Sequence, residues 1–207
     1  MLLLCRRLLP PGAHAHKARL GTAQYPARRT VITEADKEEA ENKPLLVVSL
    51  STLLSATTSA LATLHAEAGD MIVFGNHPKQ DIKKLIMAKS LLTPGLPAWA
   101  DHQLYGNACV PVYSPNAGYL MYIIEAARGD LGNSIVLSGS PGDILMAKTS
   151  GVPCIAVAGP AGAVVAGSAD PGEGDAAVLG KCHPDLLIVS LEEVPEALVK
   201  LKDSSMY

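Results

Sequence analysis

Aromatic residues are scarce in this chain, with one Trp, one Phe and six Tyr among 207 residues. A core must therefore be built mainly from Leu, Ile, Val and Ala, a composition that suits parallel strands covered by helices. Acidic residues are missing from the first 33 positions, which hold Arg6, Arg7, Lys17, Arg19, Arg28 and Arg29. That segment is +6, and since the chain as a whole is −3, the remainder sets 11 basic against 20 acidic side chains and is −9. An acidic body is a poor general binder of phosphate backbones, so no direct nucleic-acid contact is expected. Metal-type cysteine spacing is also lacking. Cys5, Cys109, Cys154 and Cys182 form no close pair, and the adjacent Cys182 and His183 have no second pair of ligands, so they read as reduced core thiols or bystanders. Neither a metal nor another cofactor is expected.

What is present is a packed globular composition: 48% hydrophobic residues and 18% charged residues, in a length that suits one domain of ordinary size. The Arg-bearing, Leu-rich, acid-free segment 1–33 fits a mitochondrial transit peptide cut near Arg28 to Val31. A basic tail is the plainer alternative. A secretory signal fits less well, because Arg6 and Arg7 break the apolar runs. From Pro44 to Leu64 there is no charge, which is long enough to span a bilayer. Nine of those 21 residues are Ser, Thr or Pro, however, and the stretch divides into a strand, Leu45 to Leu50, and a hydroxyl-capped helix, Thr57 to Glu67. No transmembrane span is expected.

The remaining chain alternates in the same way. Strands are expected at Met71 to Phe74, Ser134 to Leu137, Cys154 to Val157 and Leu186 to Val189, with Ala108 to Val112 a further candidate. Pro78 opens a helix to about Leu91, and Asn116 caps one through Arg128 that Gly129 stops. Ser140 and Asp143 have capping-box spacing at the head of a helix ending near Gly151, and Ser190 with Glu193 repeats that spacing before the last helix. Residues 159 to 175 hold five Gly, two Pro and four Ala, which reads as a mobile surface loop. The pattern is α/β: a three-layer, Rossmann-like parallel sheet with helices on both faces, over residues 43–203.

In such sheets ligands bind beyond the carboxyl ends of the strands, so Ser49, Ser51, Gly75, Ser114 and Ser138 to Asp143 are the informative positions. There the segment VVSLSTLLSATTSA resembles the first motif of haloacid-dehalogenase-like hydrolases, Asp-x-Asp-Gly-Thr-Leu, with Ser49 and Ser51 in place of the two aspartates. HAEAGDMIVFGNHP resembles the second-motif strand of the phosphoglycolate-phosphatase-like branch, with Gly75 where a hydroxyl residue stands. VYSPNAGYLMYIIEAARG is similar to the third-motif region, with Ser114 in the lysine's place. IVLSGSPGDILMAKTSGVPCIAV resembles the fourth motif, with Gly139 at its first acid and Asp143 retained. The resemblance covers about residues 43 to 200. Only 26 residues separate Ser49 from Gly75, which leaves no room for the branch's helical cap.

What the resemblance implies is a capless, degenerate member. In the family the first aspartate attacks phosphorus, the second moves a proton, and carboxylates of the first and fourth motifs hold Mg²⁺. A neutral serine lacks that nucleophilicity without an adjacent base, and Asp143 alone cannot make an all-protein cation site. Ser114 also removes the charge that steadies a transferring phosphoryl group. Asp143 has a structural use as the acid of the Ser140 capping box. The expected function is therefore that of a non-catalytic accessory or scaffold subunit bound to other proteins of a mitochondrial assembly: a respiratory complex or ATP synthase ahead of the mitoribosome, in the matrix or on the matrix face of the inner membrane. Two alternatives stand beside it. One is a Mg²⁺-dependent phosphatase using a set such as Asp143, Asp101 and a serine. The other is a binder of a small phosphorylated metabolite at the Ser138 to Gly142 turn. His65, His77, His102 and His183 are single, and Lys79, Lys83, Lys84 and Lys89 with Asp81 read as a solvated helix face.

Overall fold

The computed structural model describes residues 43–92, 99–107, 115–159 and 174–204, all within the unit Glu34–Tyr207. Strand β1 (Leu45–Ser49) runs directly into helix α1 (Leu50–Ser55) and then α2 (Thr58–Glu67). There follow β2 (Asp70–Phe74), α3 (Lys79–Leu92), a 3₁₀ turn (Asp101–Gln103), β3 (Leu104–Tyr105) and α4 (Ala117–Ala126). The chain continues through β4 (Ser134–Ser138), α5 (Pro141–Ser150), β5 (Cys154–Val157), α6 (Ala176–Lys181), β6 (Leu186–Ile188) and α7 (Val194–Ser204).

The strands form one six-stranded sheet in the order β3-β2-β1-β4-β5-β6, and every neighbouring pair is parallel. The α/β expectation, a Rossmann-like sheet with helices on both faces, is met. Burial on both faces explains why β1 reads as an unbroken apolar run rather than an alternating one. Leu46 and Val48 pack with side chains of α1, α2, α3 and α7, while Leu45 and Val47 pack with those of α4, α5 and α6. Between β1 and β2 the chain holds only α1 and α2, so no cap domain lies among the described residues. No described helix is long and apolar enough to cross a membrane.

Several local expectations hold. Thr57 caps α2 by accepting the Ala60 amide, and Gly151 ends α5 in the left-handed region (φ 71°). The Ser190 and Glu193 capping box closes at the turn leading into α7, with the Glu193 carboxylate accepting the Ser190 amide at 3.0 Å.

Others need correction. A strand that the sequence did not mark, Leu104–Tyr105, stands beside β2; the candidate Ala108 to Val112 lies outside the described residues, as do segment 1–33, Cys5, Cys109 and Ser114. Helix α4 ends at Ala126, and the left-handed residue after it is Arg128 (φ 59°), not Gly129. The Arg128 amide donates to the Glu125 carbonyl and the Gly129 amide to that of Ile124, the paired bonds of a Schellman ending. Gly129 is needed for another reason: a Cβ there would collide with the Leu45 side chain. Of the segment 159–175, residues 160–173 lie outside the described set, but its ends are fastened. Gly159 donates to the Gly174 carbonyl at 3.0 Å, Gly174 to the Gly139 carbonyl at 2.8 Å, and Asp175 caps α6.

Candidate functional site

The strand order reverses direction between β1 and β4, so the crevice beyond their carboxyl ends is the place where an open sheet of this kind binds ligands. Ser49, the last residue of β1, is buried and serves as N-cap of α1. Its hydroxyl donates to Thr52 Oγ1 at 2.8 Å, and Ser51 Oγ stands 3.3 Å away. Thr52 Oγ1 also accepts the Gly139 amide at 2.9 Å. A neutral hydroxyl web thus joins the end of β1 to the turn after β4. Thr52 was not singled out in the sequence; its signal is the Ser-x-x-Thr spacing that lets a strand's last residue cap the helix following it.

Beyond β4 the buried Ser138 hydroxyl donates to Asp143 Oδ2 at 2.8 Å and accepts the Ser140 amide at 3.0 Å. The Ser140 side chain makes no cap hydrogen bond, so the expected Ser140 to Asp143 box does not close as drawn. Ser138 provides the hydroxyl instead, since it sits at the strand end and reaches the carboxylate in the first turn of α5. Asp143 stays 7% exposed. A carboxylate is favoured there by the helix dipole and the hydroxyl donor together.

Gly75 lies apart from this web. Its amide donates to the Tyr105 carbonyl, and a Cβ at Gly75 would stand 3.1 Å from Leu50 Cβ, so a larger residue must press on the α1 side chain. Asp101 is also elsewhere. It precedes β3, at the amino-terminal end of the sheet, where neighbouring Gln103 bonds Asp70 at the start of β2, and it is paired with Lys83 at 2.8 Å. The Lys83 hydrogen bond and charge hold its carboxyl below the ordinary value. Asp143 and Asp101 therefore stand at opposite ends of the sheet and cannot act on one substrate atom. The four singled-out histidines do not converge: His65 lies against Trp99 at 5.7 Å between ring centroids, with burial lowering its pKa, and His183 is a left-handed turn residue.

The family's Mg²⁺ can be tested against these donors. Hard divalent cations need several charged oxygens. The corresponding positions offer two serine hydroxyls, no side chain at Gly139, and one carboxylate already hydrogen-bonded by Ser138. Among the described residues no three His, Cys, Asp or Glu side chains come together as a ligand group. The donor set does not fit the ion.

Beside the web opens a cleft of about 270 Å³, between Ser51, Thr52 and Gly139 on one side and Val189 to Glu192 on the other. Glu192 reaches across to α2, where its Oε1 accepts the hydroxyls of Thr57 at 2.8 Å and Ser59 at 2.9 Å. These bonds, with that of Thr57 foremost, hold its carboxyl below the ordinary value.

No family model matches the sequence, and no curated protein matches it. Solved structures do match. A haloacid-dehalogenase-like protein of unknown function from Agrobacterium tumefaciens superposes with a TM-score of 0.51 at 13% identity, over 68% of this chain and 59% of that one. A haloacid-dehalogenase-family hydrolase from Deinococcus radiodurans, with bound phosphate and sodium, gives 0.52 at 15% identity, over 69% and 57%. A hydrolase from Pseudomonas syringae gives 0.50 at 11% identity, over 69% and 60%. At such identities the likeness is one of fold, and this chain spans less than two thirds of each neighbour's length.

Proposed function

We propose that this chain, which has the haloacid-dehalogenase-like fold, is a non-catalytic accessory subunit that holds other proteins together in a mitochondrial assembly. The observation that carries the reading is the hydroxyl web of Ser49, Thr52 and Gly139 at the strand reversal, where the family's chemistry needs carboxylates. Serine at the attacking position has no base among its bonded neighbours, which are hydroxyls and one amide. Phosphoryl transfer also needs positive charge beside the leaving oxygens, and none lines the cleft among the described residues. A folded core without that equipment is useful through its surface. The acid-free leader and the acidic body support a matrix location with protein partners, and favour a respiratory complex or the ATP synthase over an RNA-rich assembly.

Incubation of the purified chain with Mg²⁺ and a panel of phosphate esters is expected to release no phosphate above buffer. Turnover that Asp143→Asn abolishes would overturn the proposal and favour the phosphatase reading. Native electrophoresis of mitochondrial extracts should show the chain migrating with a large complex; a free monomer alone would count against the scaffold role.

A further inference from the structure

The cleft beside the hydroxyl web differs chemically from a phosphate pocket. Its volume of about 270 Å³ is near the lower limit for small-ligand sites. Its lining is apolar on the inside, with Ala56, Ala60, Val157 and Leu191 among its walls. The backbone amides that could cradle an anion are already used. Gly139 donates to Thr52, Gly174 to the Gly139 carbonyl, Gly159 to the Gly174 carbonyl and Ala158 to the Ile188 carbonyl.

What the cleft presents instead is acceptors. Ser55 donates its proton to the Thr52 carbonyl at 2.9 Å, which leaves its lone pairs for a donor from outside. Glu192 stands at the rim, oriented by the hydroxyls of Thr57, Ser59 and Ser190. The ion pairs among the described residues are Lys83 with Asp101, Lys84 with Asp81 and Lys148 with Asp185, so Glu192 has no cationic partner there. A carboxylate held in place without a counter-charge, over a small apolar hollow, is complementary to a cation with a short hydrocarbon body.

We propose that this cleft binds a small organic ammonium ion, its head between Glu192 and Ser55 and its hydrocarbon part against Ala56, Ala60 and Leu191. A phosphate would meet the Glu192 charge with no cation among the described lining residues to offset it. A polyol could reach Ser55 and Glu192, but it would lay its remaining hydroxyls on the apolar walls without partners and bring no charge to meet the carboxylate. The inference is independent of the partner-holding role and survives its failure.

Titration of the full chain with n-butylammonium chloride at constant ionic strength, followed by amide NMR, tests it, with glycerol and inorganic phosphate as the comparison probes. Butylammonium is expected to give saturable shifts at Ala60 and Leu191 that weaken as salt rises. Glu192→Gln should lower the affinity about threefold, in keeping with a solvent-exposed charge pair, and remove the salt dependence. Ser55→Leu, at an exposed lining position that leaves the Glu192 cluster intact, should abolish the shifts by filling the space. Equal or tighter binding of phosphate or glycerol would overturn the proposal. So would the absence of saturation up to tens of millimolar butylammonium, or unchanged binding in Ser55→Leu.

Discussion

At the amino-terminal end of the sheet Asp185 ties α5 to β5 through charge, whereas at the carboxyl end Thr52 ties β1 to the turn after β4 through neutral hydroxyls. The Asp185 carboxylate pairs with Lys148 at 2.7 Å and accepts the Cys154 amide at 2.8 Å. Both ends are well joined, yet the link between β1 and the turn after β4 is neutral, while the Lys148 and Asp185 pair stands at the end that only holds the fold. The fold therefore tolerates ionic clamps, and the neutrality of the Ser49, Thr52 and Gly139 link is a local property of that site.

Three substitutions sharpen or break this contrast. The largest effect is expected from Ser49→Asp, which restores the family's residue at a position 3% exposed. With only neutral hydroxyls and one amide to hold it, the new buried carboxylate would be ionised without a counter-charge among its bonded neighbours, costing on the order of 3 kcal/mol in urea denaturation at neutral pH. Its folded-state pKa would be raised by burial, so the loss should shrink as pH falls below that value. Mg²⁺ should not rescue it; rescue would mean that the site still assembles a cation shell and would break the contrast.

Asp185→Ala should cost about 2 kcal/mol, because it leaves the Cys154 amide without its acceptor and Lys148 without its partner. The pH response has the opposite sign to that of Ser49→Asp. Burial pushes the Asp185 carboxyl up, but the Lys148 hydrogen bond, the Cys154 amide and the Lys148 charge pull it further down, to a net value below its ordinary 3.8. Its contribution is thus complete above the unfolded value and lost as pH falls through the folded one. Parallel denaturation curves in the acid range should converge for wild type and variant. Lys148, raised chiefly by its bond to Asp185, loses its part only at strongly alkaline pH.

The smallest effect is expected at the same end of the sheet, where Arg128→Gly relieves a left-handed residue at the close of α4. A gain of about 0.5 to 1 kcal/mol in thermal or urea denaturation would fit the helix ending drawn here. A loss would mean that the Arg128 side chain contributes contacts beyond its backbone.

Most of the sheet was legible because β1, β2, β4 and β5 are apolar runs buried on both faces, and such runs are visible without partners. Strand β3 was not, since two residues, Leu104 and Tyr105, make no run. Helix α1 was hidden by its serines, whose first member, Ser49, is the very residue that caps it. The strand-end positions Ser49, Ser51 and Gly139 were found as residues just after apolar runs, and the structure brings them together, while Gly75 belongs to the packing of α1. The Ser140 to Asp143 spacing misled because spacing does not say which of two serines reaches the carboxylate. Thr52 and Glu192 were missed for a related reason: each acts across the fold, on partners 87 and 135 residues distant in sequence.

Gly139, Gly159 and Gly174 are stitched to one another by main-chain bonds, so the two glycines that flank positions 160–173 are held side by side. Loop entropy grows only logarithmically, by about 0.6 kcal/mol for each doubling of length. With the two flanking glycines already pinned, residues added between them should cost little stability, which makes this position a natural place for evolution, or an engineer, to splice in a peptide tag.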